Sequence, residues 1–154
     1  MELTVRVLRS VVPAVVCGVA FVAAPHVVSA QKQVIVPPGA NASATLSPGI
    51  RAGDVLYVSG QLGTSRTDPD SSIEGQTKRA LENVGKVLAA AGTNPDNVVK
   101  CTVFLVDVKD FAGMNKAYTQ FFTKNPPARS TVVVAALVSP QAKTEIECIA
   151  NVPK

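Results

Sequence analysis

Two rhythms of apolar and polar positions divide the chain beyond residue 30. Asp54 to Leu62 (DVLYVSGQL) and Val98 to Val106 are runs of β-branched and aromatic residues, and they predict strands. Between them Ile73, Thr77, Ala80, Leu81, Val84, Leu88 and Ala91 recur at helical spacing, and Gly92 ends the predicted helix. Ser71-Ser72-Ile73-Glu74 before it reads as a capping box, with Ser71 accepting from the first turn and Glu74 reaching back. Met114 to Phe122 predicts a shorter helix, stopped before Pro126-Pro127. Arg129 to Leu137 and Lys143 to Val152 predict two final strands, read as a hairpin around Ser139-Pro140. Ahead of all these, Gln33 to Val36 predicts an edge strand, and the Pro/Gly/Ala/Ser-rich stretch to residue 49 a loop or irregular strand. The order β-β-β-α-β-α-β-β makes one α+β domain, a mixed sheet covered on one face by two helices.

The first 30 residues follow a different logic. Arg6 and Arg9 precede 14 uncharged residues, Val11 to Ala24, and Val28-Ser29-Ala30 places small residues at −3 and −1. This is the pattern of a secretory signal peptide cleaved after Ala30. The run is shorter than a membrane span and is broken by Pro13. Val15-Val16 before Cys17 does not resemble a lipid-attachment site. The domain is therefore expected at 31–154, in a secreted or periplasmic protein with no stable membrane association after cleavage.

That expectation changes the chemistry on offer. The whole chain of 154 residues has one histidine, His26, and it lies in the leader. Removing the leader leaves 13 Lys/Arg, 10 Asp/Glu, two cysteines and no histidine. Histidine triads, histidine-rich metal sites and imidazole bases are excluded from such a mature chain. A small net positive charge without basic runs gives no reason to expect a nucleic-acid partner. No glycine-rich phosphate loop appears, and Asn41-Ala42-Ser43 is a glycosylation sequon only in a host that glycosylates exported proteins.

Cys101 and Cys148 are 47 residues apart with no second ligand pair, so they form no zinc framework. Both lie in apolar strand contexts, which reads first as buried thiols. A disulfide becomes available if their strands are neighbours. More informative are Pro127-Ala128-Arg129-Ser130-Thr131 and Thr144-Glu145-Ile146-Glu147, each opening a predicted strand. An arginine at a strand mouth matches a carboxylate with a planar fork. Glu145 and Glu147, two apart on one face of a strand expected to adjoin it, offer an acid or base. Composition and spacing alone stop at an exported α+β domain with an anion site.

Several blocks carry a resemblance. They are Leu56-Tyr57-Val58-Ser59-Gly60-Gln61, Gln76-Thr77, Ala80-Leu81-Glu82-Asn83, Val99 to Leu105, Asp110-Phe111, Met114-Asn115, Pro127 to Thr131 and Glu145 to Ala150. In this order, over about residues 33–152, they resemble the YjgF/RidA family. The resemblance implies a chorismate-mutase-like fold, a homotrimer with clefts at the subunit interfaces, and cofactor-free, metal-free hydrolysis of 2-imino acids to 2-oxo acids and ammonia. It puts the carboxylate-binding arginine on Arg129, with the backbone of Thr131 assisting, and the water-handling glutamate on Glu145. The cleft asparagine falls on Asn115 and the Ser-Gly pair on Ser59 and Gly60.

Three departures stand beside it. Leu46 occupies the position of a family tyrosine, Thr131 that of a frequent cysteine, and the connection from Phe122 to Pro127 is short. Two other readings stay open: a non-enzymatic trimeric carboxylate-binding protein, and a hydrolase using the same Arg/Glu cleft on another substrate.

Overall fold

The computed structural model describes residues 31–40 and 43–153. The expected leader and the first two residues of the sequon lie outside the described residues. Six strands form one sheet: β1 (Lys32–Ile35), β2 (Gly49–Ala52), β3 (Val55–Leu62), β4 (Val98–Leu105), β5 (Ala128–Val133) and β6 (Thr144–Asn151). Their order across the sheet is β1-β2-β3-β6-β4-β5. Two helices, α1 (Ile73–Ala90) and α2 (Phe111–Phe121), cover one face.

The predicted hairpin between the last two strands is not there. β5 pairs with β4 in parallel, and β6 runs antiparallel between β4 and β3. The cause is the α2 crossover, which carries the chain back so that β5 re-enters in the direction of β4. With β5 on one side of β4, the returning β6 takes the other. β5 is therefore an edge strand, and β4 separates Arg129 from the strand that bears Glu145. The irregular stretch before residue 49 ends in a regular strand, β2, whose register pairs Gly49 with Val58 and Ile35 with Gly49.

α1 buries Thr77, Ala80, Leu81, Val84 and Leu88 of the predicted stripe, together with Val87. Gly92, at φ 78°, supplies the left-handed turn beyond the helix end. The N-terminal cap is Ser72 rather than Ser71: its side chain accepts from the Gly75 amide at 3.1 Å. Ser71 lies one residue too early, because Asp70 already turns the chain by accepting from the Ser72 amide at 2.9 Å. Nor does Glu74 reach back to close a capping box; it pairs with Lys116 of α2 at 2.9 Å. α2 starts three residues earlier than its pattern predicted and buries Met114, Ala117 and Tyr118.

The core lies between helices and sheet. Leu56 and Val58 of β3, Cys101, Val103 and Leu105 of β4, and Ile146, Cys148 and Ala150 of β6 point into it. The two cysteines are not free thiols. They face each other in the β4–β6 register, with Cα atoms 4.1 Å apart, and form a disulfide. The burial expected from their apolar contexts is found, and the neighbouring strands satisfy the condition for a bond.

This cross-link predicts a measurable contribution. Unreduced protein should weigh two hydrogens less than the reduced form, and reduction should cost roughly 2–4 kcal/mol of unfolding free energy. Equal masses, or identical denaturation midpoints before and after reduction, would contradict the disulfide.

Candidate active site

Alternate residues of a strand point to opposite faces, so burial along β5 and β6 assigns each candidate side chain a side. On β5, Arg129 lies in register with Cys101 and Thr131 with Val103, both core residues. Arg129 and Thr131 therefore stand on the helix-covered face, at the sheet edge. There the Arg129 side chain meets α2. Nη2 donates to Asn115 Oδ1 at 2.7 Å and Nη1 to Met114 Sδ at 3.8 Å. The guanidinium carbon lies 4.5 Å from the Tyr118 ring centroid and 6.0 Å from that of Phe111.

Residues 111, 114, 115 and 118 follow the i, i+3, i+4, i+7 spacing of one helix face. Asn115 was legible from the resemblance. Phe111 and Met114 fall in its blocks without a role and Tyr118 in none, although the periodicity that predicted the helix puts Met114 and Tyr118 on one face with Asn115. Burial pushes the Tyr118 hydroxyl up to about 12, against a smaller lowering influence from Arg129. That hydroxyl has no hydrogen-bond partner among the described residues.

Glu145 stands on the other side of the sheet. Its neighbours Thr144 and Ile146 are fully buried on the core face, so Glu145 points to the face without helices, as does Glu147. It lies in register with Phe104 of β4 and Leu62 of β3. The β3–β6 pairing is irregular between Val58 and Gln61, which is where Ser59 and Gly60 fall. A Cβ placed on Gly60 would lie 1.8 Å from Glu145 Oε1, so only glycine lets the carboxylate rest against β3. Ser59 is fixed beside it: its hydroxyl donates to the Ser47 carbonyl at 2.7 Å.

β6 enters this region under the control of α1. The buried Gln76 side chain donates to the Gln141 carbonyl and accepts from the Lys143 amide, each at 2.9 Å. Leu46, 56% exposed, lines a cavity of about 360 Å³ with Pro37, Pro38, Gly60, Asn83 and Lys86. The position read as a lost tyrosine is thus an apolar wall that shares Gly60 with the Glu145 side.

The expected site residues form two groups. Arg129, Asn115 and Thr131 lie together at the β5 edge on the helix side, with the Arg129–Asn115 bond made. Glu145, Ser59 and Gly60 lie together on the opposite face. One protomer does not bring the groups together. Among the described residues no cluster of His, Cys, Asp and Glu suits a metal ion, and no helix is long and apolar enough to cross a membrane.

Comparison with known proteins matches the chain to one family. The family model described as endoribonuclease L-PSP matches residues 38–152. The human protein named 2-iminobutanoate/2-iminopropanoate deaminase is 43% identical over 101 residues, covering 62% of this chain and 71% of its own. The Saccharolobus solfataricus protein named RutC family protein SSO3206 is 45% identical over 97 residues, covering 59% and 75%. Among solved structures, a Yersinia pestis Rid-family protein of unknown function is 38% identical, with a TM-score of 0.73, covering 79% of this chain and all of its own. E. coli TdcF, crystallised with bound serine, is 34% identical, with a TM-score of 0.69, covering 77% and 98%. On the extent of the family-model match, the chain belongs to the endoribonuclease L-PSP family, the YjgF/RidA family that its motifs resemble.

Proposed function

We propose that this protein hydrolyses reactive 2-imino acids to 2-oxo acids and ammonia, in clefts formed between protomers of a homotrimer. The observation that carries the reading is the guanidinium of Arg129, oriented by Asn115 at the open edge of the sheet. Two of its N–H groups are engaged by α2, and others remain to grip a carboxylate in its plane. The Thr131 backbone lies two residues along the same strand. Named deaminases among the relatives and the ligand-bound TdcF relative support a small carboxylate as the occupant.

A 2-imino acid carries its carboxylate beside a C=N carbon that is electrophilic when the nitrogen is protonated. Arg129 holds the carboxylate and so fixes the position of that carbon. Glu145 of a neighbouring protomer takes a proton from water as the oxygen adds to it. The resulting carbinolamine has one new C–O bond and a nitrogen reduced to a single bond to carbon. Glu145 returns the proton to nitrogen, the C–N bond breaks with its electron pair leaving on ammonia, and the hydroxyl proton passes through Glu145 to that ammonia as the C=O bond forms. Water is the only co-reactant. Imine hydrolysis is rapid unaided, so orientation and one proton shuttle suffice.

The same geometry supports assembly. The sheet face without helices exposes Tyr57 and Val132, 49% and 42%, around Glu145 and Glu147. Packing it against other copies covers these residues and brings a Glu145 side to an Arg129 edge. The proposal includes export. The leader pattern supports it, and the Cys101–Cys148 disulfide suits an oxidising compartment. Sequencing the exported protein should return Gln31 as its first residue; an intact leader would contradict cleavage.

A second reading has one observation in its favour. Leu46 replaces a ring-bearing hydroxyl beside Gly60, and a cleft so altered suits binding a small carboxylate without turnover. Glu145 argues for the enzyme, because carboxylate binding alone has no need of a second negative group nearby.

Two measurements test these readings. With iminopropanoate generated in situ by an amino-acid oxidase, Glu145→Gln should lower kcat by about 10²-fold or more. Arg129→Ala should act mainly through KM. Wild type no faster than Arg129→Ala would end the deaminase reading for this substrate class, and carboxylate binding by calorimetry without turnover would favour the second. Separately, Gly60→Ala meets only the far end of a flexible side chain, so folding should be spared while the carboxylate is displaced. The expected result is an unchanged melting temperature with kcat/KM down about 10²-fold. Full activity in Gly60→Ala would show that the Glu145 position does not matter.

A further inference from the structure

We infer that Tyr118 is a positioning residue for Arg129, its ring holding the guanidinium in the plane from which the fork takes the substrate carboxylate. This rests on the proposed role of Arg129 as carboxylate anchor.

Arg129 leaves an edge strand, where a long side chain has many accessible rotamers and no neighbouring strand to confine it on the outer side. The hydrogen bond to Asn115 fixes one point of the fork, and the Met114 sulfur, a weak acceptor at 3.8 Å, does little to stop rotation about that point. A second, planar contact removes the rotation. The Tyr118 ring, with the guanidinium carbon 4.5 Å from its centroid, is placed to supply it, and Phe111 at 6.0 Å is the more distant aromatic neighbour. The ring is itself closely packed. Tyr118 is 3% exposed and packs on Phe122, with centroids 4.8 Å apart. A guanidinium over an aromatic face is attracted by the ring quadrupole, more strongly where water is excluded.

The ring, rather than the hydroxyl, is the active part. The hydroxyl is buried and has no hydrogen-bond partner among the described residues, so removing it breaks no bond. Tyr118→Phe therefore keeps the device intact, whereas Tyr118→Leu removes it and leaves an apolar side chain in the core.

Arg129 contacts the carboxylate alike before and during reaction, so loosening it weakens uniform binding and shows in KM rather than kcat. With the purified protein and iminopropanoate generated in situ, Tyr118→Leu should raise KM by about 2–30-fold with kcat little changed. Tyr118→Phe should keep the wild-type KM. If Tyr118→Leu does not fold, judged by circular dichroism and melting temperature, Tyr118→Met replaces it with the same expectation. A KM unchanged in the ring-less variant, while Arg129→Ala raises it, overturns the inference about Tyr118 alone. A loss of kcat without a KM change in the folded variant also overturns it, because a purely structural role would act that way. If Arg129→Ala itself leaves KM unchanged, the anchor reading falls and the inference falls with it.

Discussion

Strand alternation separates Arg129 from Glu145, and the organisation of this protein follows from that constraint. Arg129 shares a row with the buried Cys101 and faces the helices; Glu145 sits between the buried Thr144 and Ile146 and faces away from them. No side-chain rearrangement within one protomer moves a carboxylate through a hydrogen-bonded sheet. A reaction that needs both groups at one carbon atom therefore needs two protomers. The exposed apolar side chains on the helix-free face supply a reason for copies to associate, so in the proposed trimer assembly and chemistry have a common origin in the pleat.

Each half is held by a different part of the fold. α2 forms a cradle for Arg129 because four of its residues recur at helical spacing over the β5 edge: Asn115 gives direction, Tyr118 a planar support, and Met114 and Phe111 the remaining walls. Glu145 is set by the entry of β6, which Gln76 of α1 ties down through two backbone hydrogen bonds, and by the missing side chain at Gly60. The disulfide joins β4, the strand that lies between the two halves, to β6, which bears Glu145. It thereby restrains the spacing from the row bearing Arg129 to the strand bearing Glu145.

Much of this was legible in the residues. The two helices and the strong strands β3 and β4 announced themselves by periodicity, and the stripe from Ile73 to Leu88 is the face of α1 toward the core. Strand neighbours were harder, because pairing is decided by the chain's path and not by local pattern. Ser139-Pro140 looked like a hairpin turn, yet the α2 crossover had already committed β5 to lie parallel to β4. The same error put Glu145 beside Arg129, when β4 intervenes. The state of the cysteines depended on that pairing too; only the β4–β6 register shows that Cys101 and Cys148 meet. The site residues came from motif blocks, which name chemistry but not faces. Tyr118 escaped notice because a tyrosine on the buried side of a helix looks like any other core residue until its neighbour proves to be a guanidinium.

The central claim is that a working cleft takes Arg129 from one protomer and Glu145 from another. It is tested most directly by coexpressing Arg129→Ala and Glu145→Gln chains under different tags, isolating mixed assemblies through both tags, and measuring 2-imino acid hydrolysis. With substrate held well below the wild-type KM, where rates follow kcat/KM, each variant alone should be nearly inactive. In the proposed trimer every mixed assembly holds one cleft with both groups intact, so the mixture should regain about a third of wild-type activity. Mixed assemblies as inactive as their parents would place both groups in one protomer's site and contradict the account.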